Sequence, residues 1–345
     1  MNLLKDLMVD SHSGDYTGIA QVITGFLKSN TDADVQVQEV GPKKMNIIAK
    51  FGKPDLLINC HMDTVPPMGE WTHPPLVPTT TLGKIYGLGT ADTKGNIYAL
   101  LMAVENVRPL DLCLLFSTDE ESGSGGSGVR HFLKTKEAKG IKAAVVCEPT
   151  SLAFVGKHKG YYAFKITVTA KPMHSCLKVA VDGGERKSSN STENAVAKAA
   201  RIITKLDDGG FNIGAISGGG MGNIVSSKCE FKASLRTYES PDAAKKVLNS
   251  LVGNDPDVKI EAGFCGIPLP GGKDLTAFSM ALSITGTLSE AGFWTEAALF
   301  QEAGIPAIVF GAGNIQQAHA PDEYVESEQL EKAQITFQKL IGDMK

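Results

Sequence analysis

Glu120 and Glu121 close the apolar run 112–116 in the stretch LCLLFSTDEES. Two adjacent carboxylates at the end of a buried strand lose hydration and repel each other, which a fold tolerates where positive charge lies between them. Other strand-like runs end in related chemistry. LLINC leads into His61, Met62 and Asp63; KIYGLGT leads toward Asp92; AAVVC leads into Glu148; AIVFGAG leads toward His319. Together these supply two imidazoles, a carboxylate to share, one further carboxylate for each of two cations, and a spare base. All the donors are oxygen or nitrogen and none is a thiolate. Such a set suits a pair of Zn²⁺ ions, with Co²⁺ or Mn²⁺ as alternatives. Two-metal hydrolytic sites hold their ions roughly 3.5–4 Å apart, a gap one carboxylate can span. The chemistry implied is hydrolysis of an amide assisted by two metal ions.

Each member has a blander reading by itself. His61 and Asp63 stand two apart, so on a strand they share a face, and Asp63 is expected to hold the second ring nitrogen of His61. Asp92 falls in the first turn of the helix expected over ADTKGNIYALLMAV, where it would serve equally as an N-cap. Glu120 and Glu121, being adjacent, point in different directions, so one can ligate while the other faces a substrate. Glu148 is followed by Pro149, which keeps the chain extended. His319 taken singly reads as a surface histidine. The glycines of SGSGGSG, directly after the acid pair, lack a following GK[ST] and are not a phosphate loop; they are expected to make a tight turn.

The elements that must position these residues alternate. Helical spacing in LLKDLMVD and YTGIAQVITGFLKSN precedes strands in MNIIAKF and DLLINC. A helix over KGNIYALLMAVENV, the strand LCLLFSTD, a helix over GVRHFLKTKEAKG and the strand IKAAVVCE follow. This order predicts an open α/β sheet with helices on both faces, whose ligands bind at the carboxyl ends of the strands. After about residue 155 the character changes. YYAFKITVTA and CEFKASLRTY alternate, separated by the polar turn DGGERKSSNS and a helix over TENAVAKAARIITKLDD, which predicts an α+β insert with a half-exposed sheet. From about 265 the α/β style returns, with helices over DLTAFSMALSITGTLSEAG, AALFQEAG and the final SEQLEKAQITFQKLIGDM, and a strand in PAIVFGAG. The expected organisation is an open mixed-sheet catalytic domain from 1–155 plus 265–345, interrupted by an inserted domain at 156–264.

Composition removes other classes. With 345 residues, 42% hydrophobic and 21% charged, the chain has the make-up of an ordinary globular protein with core to spare. A formal net charge of −4 gives no footprint for nucleic acid or a membrane surface. No run reaches the roughly 18 apolar residues of a membrane span, and the N-terminus lacks a signal-peptide core. Six scattered cysteines without CxxC spacing read as reduced thiols of a cytoplasmic protein.

The stretches HMDTVP (61–66), GLGTADTKGNIYALL (87–101), STDEESGSGG (117–126), CEPT (147–150), PMHS (172–175) and QAHAPDEY (317–324) resemble, in order and over nearly the whole length, the M20 family of metallo-aminoacylases and peptidases. FWTEAALF (293–300) and VFGAGNIQQAHAPDEYV (309–325) look most like its acetylornithine and acetylcitrulline deacetylase branch. The resemblance implies that His61, Asp92 and Glu148 hold one ion and that Asp92, Glu121 and His319 hold the other, with Asp92 bridging. It further implies that Asp63 orients His61, that Glu120 is the general base, and that the insert is a lid and homodimerisation domain. His174 of that insert would steady the oxyanion in the partner's site, and Arg236 and Asn223 would bind the substrate carboxylate and nearby polar groups. The pattern departs from the family at Ser234, where Asp is usual, at Ser226, where Pro is usual, and at Ala312 within a usual GPG. The implied reaction is deacetylation of a small N-acyl amino acid in arginine biosynthesis. A dipeptidase or carboxypeptidase, an N-succinyl-diaminopimelate desuccinylase and a non-catalytic metal-binding scaffold are the alternatives.

Overall fold

A computed structural model of the chain describes residues 2–107, 111–121, 127–177, 181–182, 185–186, 193–271, 278, 283 and 287–342. By their internal contacts these form two units: 1–158 with 269–345, and 159–268.

The first unit is built on an eight-stranded sheet. Its spatial order is Asp34–Gly41, Lys44–Phe51, Leu112–Ser117, Leu56–His61, Ala143–Val146, Ala307–Val309, Val155–His158, Ser289–Ala291. The four central strands run parallel to one another, while the first two and Val155–His158 run antiparallel to their inner neighbours. Those four strands are buried at every position. This is why they read as unbroken apolar runs, as strands covered on both faces must. Their common direction brings the ends at His61, Ser117, Val146 and Val309 to one edge of the sheet. Helices Thr17–Asn30, Lys94–Val107 and Ser327–Gly342 contribute apolar faces to the same core. Phe310 locks the last of them: it stacks on Phe154 at 4.5 Å and meets Phe337 edge-on at 5.4 Å.

Several elements differ from expectation. KIYGLGT is a strand only over Lys84–Tyr86, and that strand belongs to a separate three-stranded sheet with Thr79–Thr81 and Tyr324–Glu326. Gly87 and Gly89 adopt positive φ, which ends the strand. The edge strand Asp34–Gly41 is unforeseen, although DVQVQEVG alternates apolar and polar residues as a half-exposed strand should. The helix expected over 274–292 ends in a strand, Ser289–Ala291, and most of its remainder lies outside the described residues. So do residues 122–126 of the glycine-rich stretch and most of the turn 182–191.

The second unit is a four-stranded antiparallel sheet ordered Asn212–Gly218, Lys228–Thr237, Gly160–Thr169, Val258–Gly266. One face buries Tyr162, Ile166, Val168 and Phe231 with Ala199 and Leu206 of helix Ala195–Asp208 and Leu248 of helix Pro241–Val252. Asn194 caps the first helix by accepting from the amides of Val196 and Ala197, and Ser240 caps the second by accepting from Ala243.

Candidate active site

His61 is the last residue of its strand and is 2% exposed. Its Nδ1 lies 2.9 Å from the main-chain oxygen of Asp63. A carbonyl only accepts, so Nδ1 carries a proton, which leaves Nε2 to hold a second proton or to ligate a cation. That Nε2 faces two acceptors, Asp92 Oδ1 at 3.0 Å and Glu148 Oε1 at 4.0 Å. Only a proton or a cation among these atoms reconciles the arrangement. Burial opposes charge on His61, yet Asp92 and Glu148 hold its pKa well above the ordinary value.

The strand ends before Asp63, and the expected role of that residue shifts accordingly. Its carboxylate stands 3.8 Å from His61 Nδ1 and instead accepts the amides of Glu120 at 3.2 Å and Glu121 at 2.9 Å. Asp63 therefore orients His61 through its backbone and the acid pair through its side chain. Burial pushes its carboxyl up to about 6.

Asp92 is presented by the segment joining Lys84–Tyr86 to helix Lys94–Val107, with a cis peptide to Thr93. It turns one oxygen to each imidazole: Oδ1 to His61, and Oδ2 to His319 Nε2 at 3.6 Å. Burial works against its charge, but the bond to His61 leaves its carboxyl below the usual value. His319, half exposed and at φ 59°, also meets Glu121 Oε1 at 2.7 Å, and that bond raises it to about 9. Glu148 is buried, and its Oε1 has no hydrogen-bond partner. Burial and neighbouring carboxylates push Glu120 and Glu148 well above the ordinary carboxylate value.

Donor atoms converge within 4.8 Å in three groups: His61, Asp92 and Glu148; Asp92, Glu121 and His319; and His61, Glu120 and Glu121. The first two share Asp92. Five carboxylates, including Asp63, stand against two imidazoles here, and the Oε1 of Glu148 in the first group has no hydrogen-bond partner. All-oxygen-and-nitrogen donors in excess negative charge fit two divalent cations of the zinc type.

His174, Asn223 and Arg236 belong to the second unit. His174 is bridged across the backbone to Ile224, beside Asn223, whose carbonyl accepts the amide of Ser175. Both side chains are exposed. Arg236 is not part of that pairing: it stacks on Tyr161 at 4.6 Å and lines a recess of about 360 Å³ with Lys159, Asn212 and Ser234.

Buried groups around the acids were not anticipated. Asp119, at φ 65° just before the acid pair, is held by Tyr16 Oη at 2.9 Å and Lys44 Nζ at 2.7 Å. Asn96 takes the amide of Ala312 at 2.7 Å and donates to its carbonyl at 3.1 Å, tying the loop toward His319 to the helix after Asp92. Glu296 accepts from Asn59 at 2.6 Å and Ser117 at 2.7 Å, on the strands that end at His61 and lead to Glu120, and burial raises it to about 7. Glu323 accepts three amides of the Asp92 segment. Its signals in the sequence are its place four residues after His319 and within the stretch QAHAPDEY.

A model of peptidase family M20/M25/M40 matches residues 57–343. An N-acetyl-L-citrulline deacetylase from Xanthomonas campestris pv. campestris is 30% identical over 324 residues, covering 89% of this chain and 87% of that protein. An acetylornithine deacetylase from Aliivibrio fischeri is 30% identical over 341 residues with the same coverage, 89% and 87%. Among solved structures, aminopeptidase PepT from Bacillus cereus matches with a TM-score of 0.76 over 99% of this chain and 96% of that one, at 19% identity, a likeness of fold.

Proposed function

The chain belongs to peptidase family M20/M25/M40, and from that premise we propose that it uses two divalent cations to hydrolyse the amide of a small N-acyl amino acid, N-acetylornithine or N-acetylcitrulline, in arginine biosynthesis. The observation that carries the metal reading is Asp92, with one carboxylate oxygen toward each histidine, beside the partnerless oxygen of Glu148. The names of the two deacetylases support the substrate class. His61, Asp92 and Glu148 would hold one ion; Asp92, Glu121 and His319 would hold the other. Zinc is the proposed metal, with cobalt or manganese able to replace it.

Such ions, when bound, polarise a carbonyl and make water acidic near neutral pH. The remaining work falls to side chains. Glu120 accepts the proton of the attacking water and returns it to the leaving amine, a general acid–base contribution of typically 10²–10⁴-fold. Asp63 fixes where Glu120 stands. His174 would donate to the developing oxyanion, and Arg236 and Asn223 would take the substrate's carboxylate and polar groups. The second unit would act as lid and homodimerisation domain; the strand Asn212–Gly218, an edge exposed at every position but Ile213, supports that reading. Four buried and no paired cysteines support a reducing, cytoplasmic location.

The test is amine release by metal-loaded protein from N-acetylornithine, N-acetylcitrulline, N-acetylmethionine, N-succinyl-diaminopimelate and a few dipeptides, with and without chelator. Chelator-sensitive release from the acetylated amino acids is expected. Release from dipeptides alone would move the protein to a peptidase role.

A further inference from the structure

We infer that Glu323 is a positioning residue that sets the bridging carboxylate of Asp92 against His319. The inference rests on the two-cation reading above and extends it to a residue with no place among the ligands.

The segment 87–92 has no regular structure, so its amides must find partners elsewhere. Glu323 supplies most of them. Its carbonyl accepts the amide of Gly87 at 2.8 Å. Its carboxylate accepts Gly89 on Oε2 at 2.8 Å, and Ala91 and Asp92 on Oε1 at 2.8 and 2.9 Å. Amides converging in this way form an anion-binding concavity, and here the chain fills it with its own carboxylate. Glu323 is 2% exposed, so water does not compete for those bonds.

The same residue governs the other side of the site. It stands four residues after His319 and directly precedes the strand Tyr324–Glu326, which pairs antiparallel with Lys84–Tyr86 in the register Tyr324 to Tyr86. The two ligand-bearing segments thus leave this two-strand pairing in opposite directions along the chain, and Glu323 stitches them at the point of departure. The neighbouring Asp322 fastens the same loop from outside by accepting from Thr72 and His73. A carboxylate that would serve two ions at once tolerates little drift. The amide of Asp92 is one of the three held, so displacing Glu323 moves Asp92 itself.

The conservative variant separates positioning from simple structural support. Glu323→Gln keeps size and shape, but its amide nitrogen must face either Gly89 or the Ala91–Asp92 pair, donor against donor. Because Asp92 is shared, both binding steps should weaken, by the tenfold to hundredfold typical of losing a partner behind a ligand. Metal-free wild type, Glu323→Gln and Glu323→Asp would be titrated with Co²⁺, following heat and visible absorption, with melting temperatures measured before and after. The expected result is a folded, metal-free Glu323→Gln in which both steps are weakened, the cobalt spectrum is altered and the metal-induced rise in melting temperature is smaller. Glu323→Asp, which keeps the charge at shorter reach, should recover part of the loss, and is judged by the same criteria if the Gln variant does not fold. Wild-type affinity for two ions with an unchanged spectrum in the variant would overturn the inference whatever its melting temperature. Wild type binding fewer than two ions would overturn the two-cation reading and the inference together.

Discussion

The sharpest prediction concerns Asp63, where spacing and geometry disagree about the partner. If its carboxylate were the hydrogen-bond partner of His61, Asp63→Asn would weaken the metal site. In the structure His61 Nδ1 is held by the main-chain oxygen of Asp63, which the substitution leaves in place. What the substitution removes is one of the two oxygens that accept the amides of Glu120 and Glu121. A hydrogen bond to a charged group contributes about 1.5–3 kcal/mol. If that is expressed in the transition state through a misplaced Glu120, kcat falls about ten- to hundredfold, at 1.36 kcal/mol per factor of ten. Metal affinity at the group of His61, Asp92 and Glu148 should be kept, because the main-chain partner of His61 stays in place, while the group containing Glu121 should weaken by about tenfold, as when a partner behind a ligand is lost, because Asp63 also holds the Glu121 amide. Steady-state kinetics on N-acetylornithine and calorimetric Zn²⁺ titration of the metal-free protein measure the two quantities separately. A variant in which both binding steps weaken by about tenfold or more while kcat at saturating metal is retained would refute the reasoning and restore the side chain as the partner of His61.

Three further outcomes follow from the same site and core. Glu120→Gln should lose at least a hundredfold in kcat while still binding two ions by elemental analysis; loss of an ion would make Glu120 a ligand, as the third donor grouping allows. In metal-free protein, the Glu296 carboxyl, raised from 4.5 to about 7 by burial, holds a proton that the unfolded chain gives up, so its stabilising contribution is full below about 4.5 and lost as pH rises through about 7. That gap corresponds to about 3 kcal/mol. Melting curves of Glu296→Gln should therefore gain on wild type between pH 5 and 8, and parallel curves would contradict the assignment. Phe310→Ala should destabilise by about 3–5 kcal/mol in denaturant titration, because the ring is fully buried between Phe154 and Phe337.

The central sheet was legible because its strands are buried on both faces and therefore read as apolar runs without interruption. The acids that follow those runs were legible for the same reason: polar residues abruptly ending an apolar run mark the sheet's edge. Where the chain does not follow that rule, the reading failed. Asp34–Gly41 is half exposed, and its alternation competes with loop-like polarity. The turn that presents Asp92 between strand and helix was read, but positive-φ glycines at 87 and 89 end the strand early, and Asp92 precedes the helix instead of lying in its first turn. Asp63 lies past the strand, so the two-residue rule that predicted a shared face did not apply to it.

The groups that hold the candidate ligands were illegible for a different physical reason. Each is a buried polar side chain whose partner is distant in sequence: Asp119 reaches Tyr16, Glu296 reaches Asn59, Asn96 reaches Ala312 and Glu323 reaches Asp92. Every such pair is separated by 100 residues or more, between 103 for Tyr16 and Asp119 and 237 for Asn59 and Glu296. No local period encodes them, because each is required only once the sheet has brought the strand ends to one edge. Burying polar groups there is tolerable only when each finds a partner, and Asp119, Asn96 and Glu323 do. Glu148 keeps one buried oxygen without a hydrogen-bond partner, in the donor group of His61 and Asp92, and Glu296 likewise keeps one of its two. Carboxylates and imidazoles converging at one edge, with long-range side chains holding the segments that carry them, suit a cation, so substitutions at the supports should be read in metal affinity and geometry before they are read in stability.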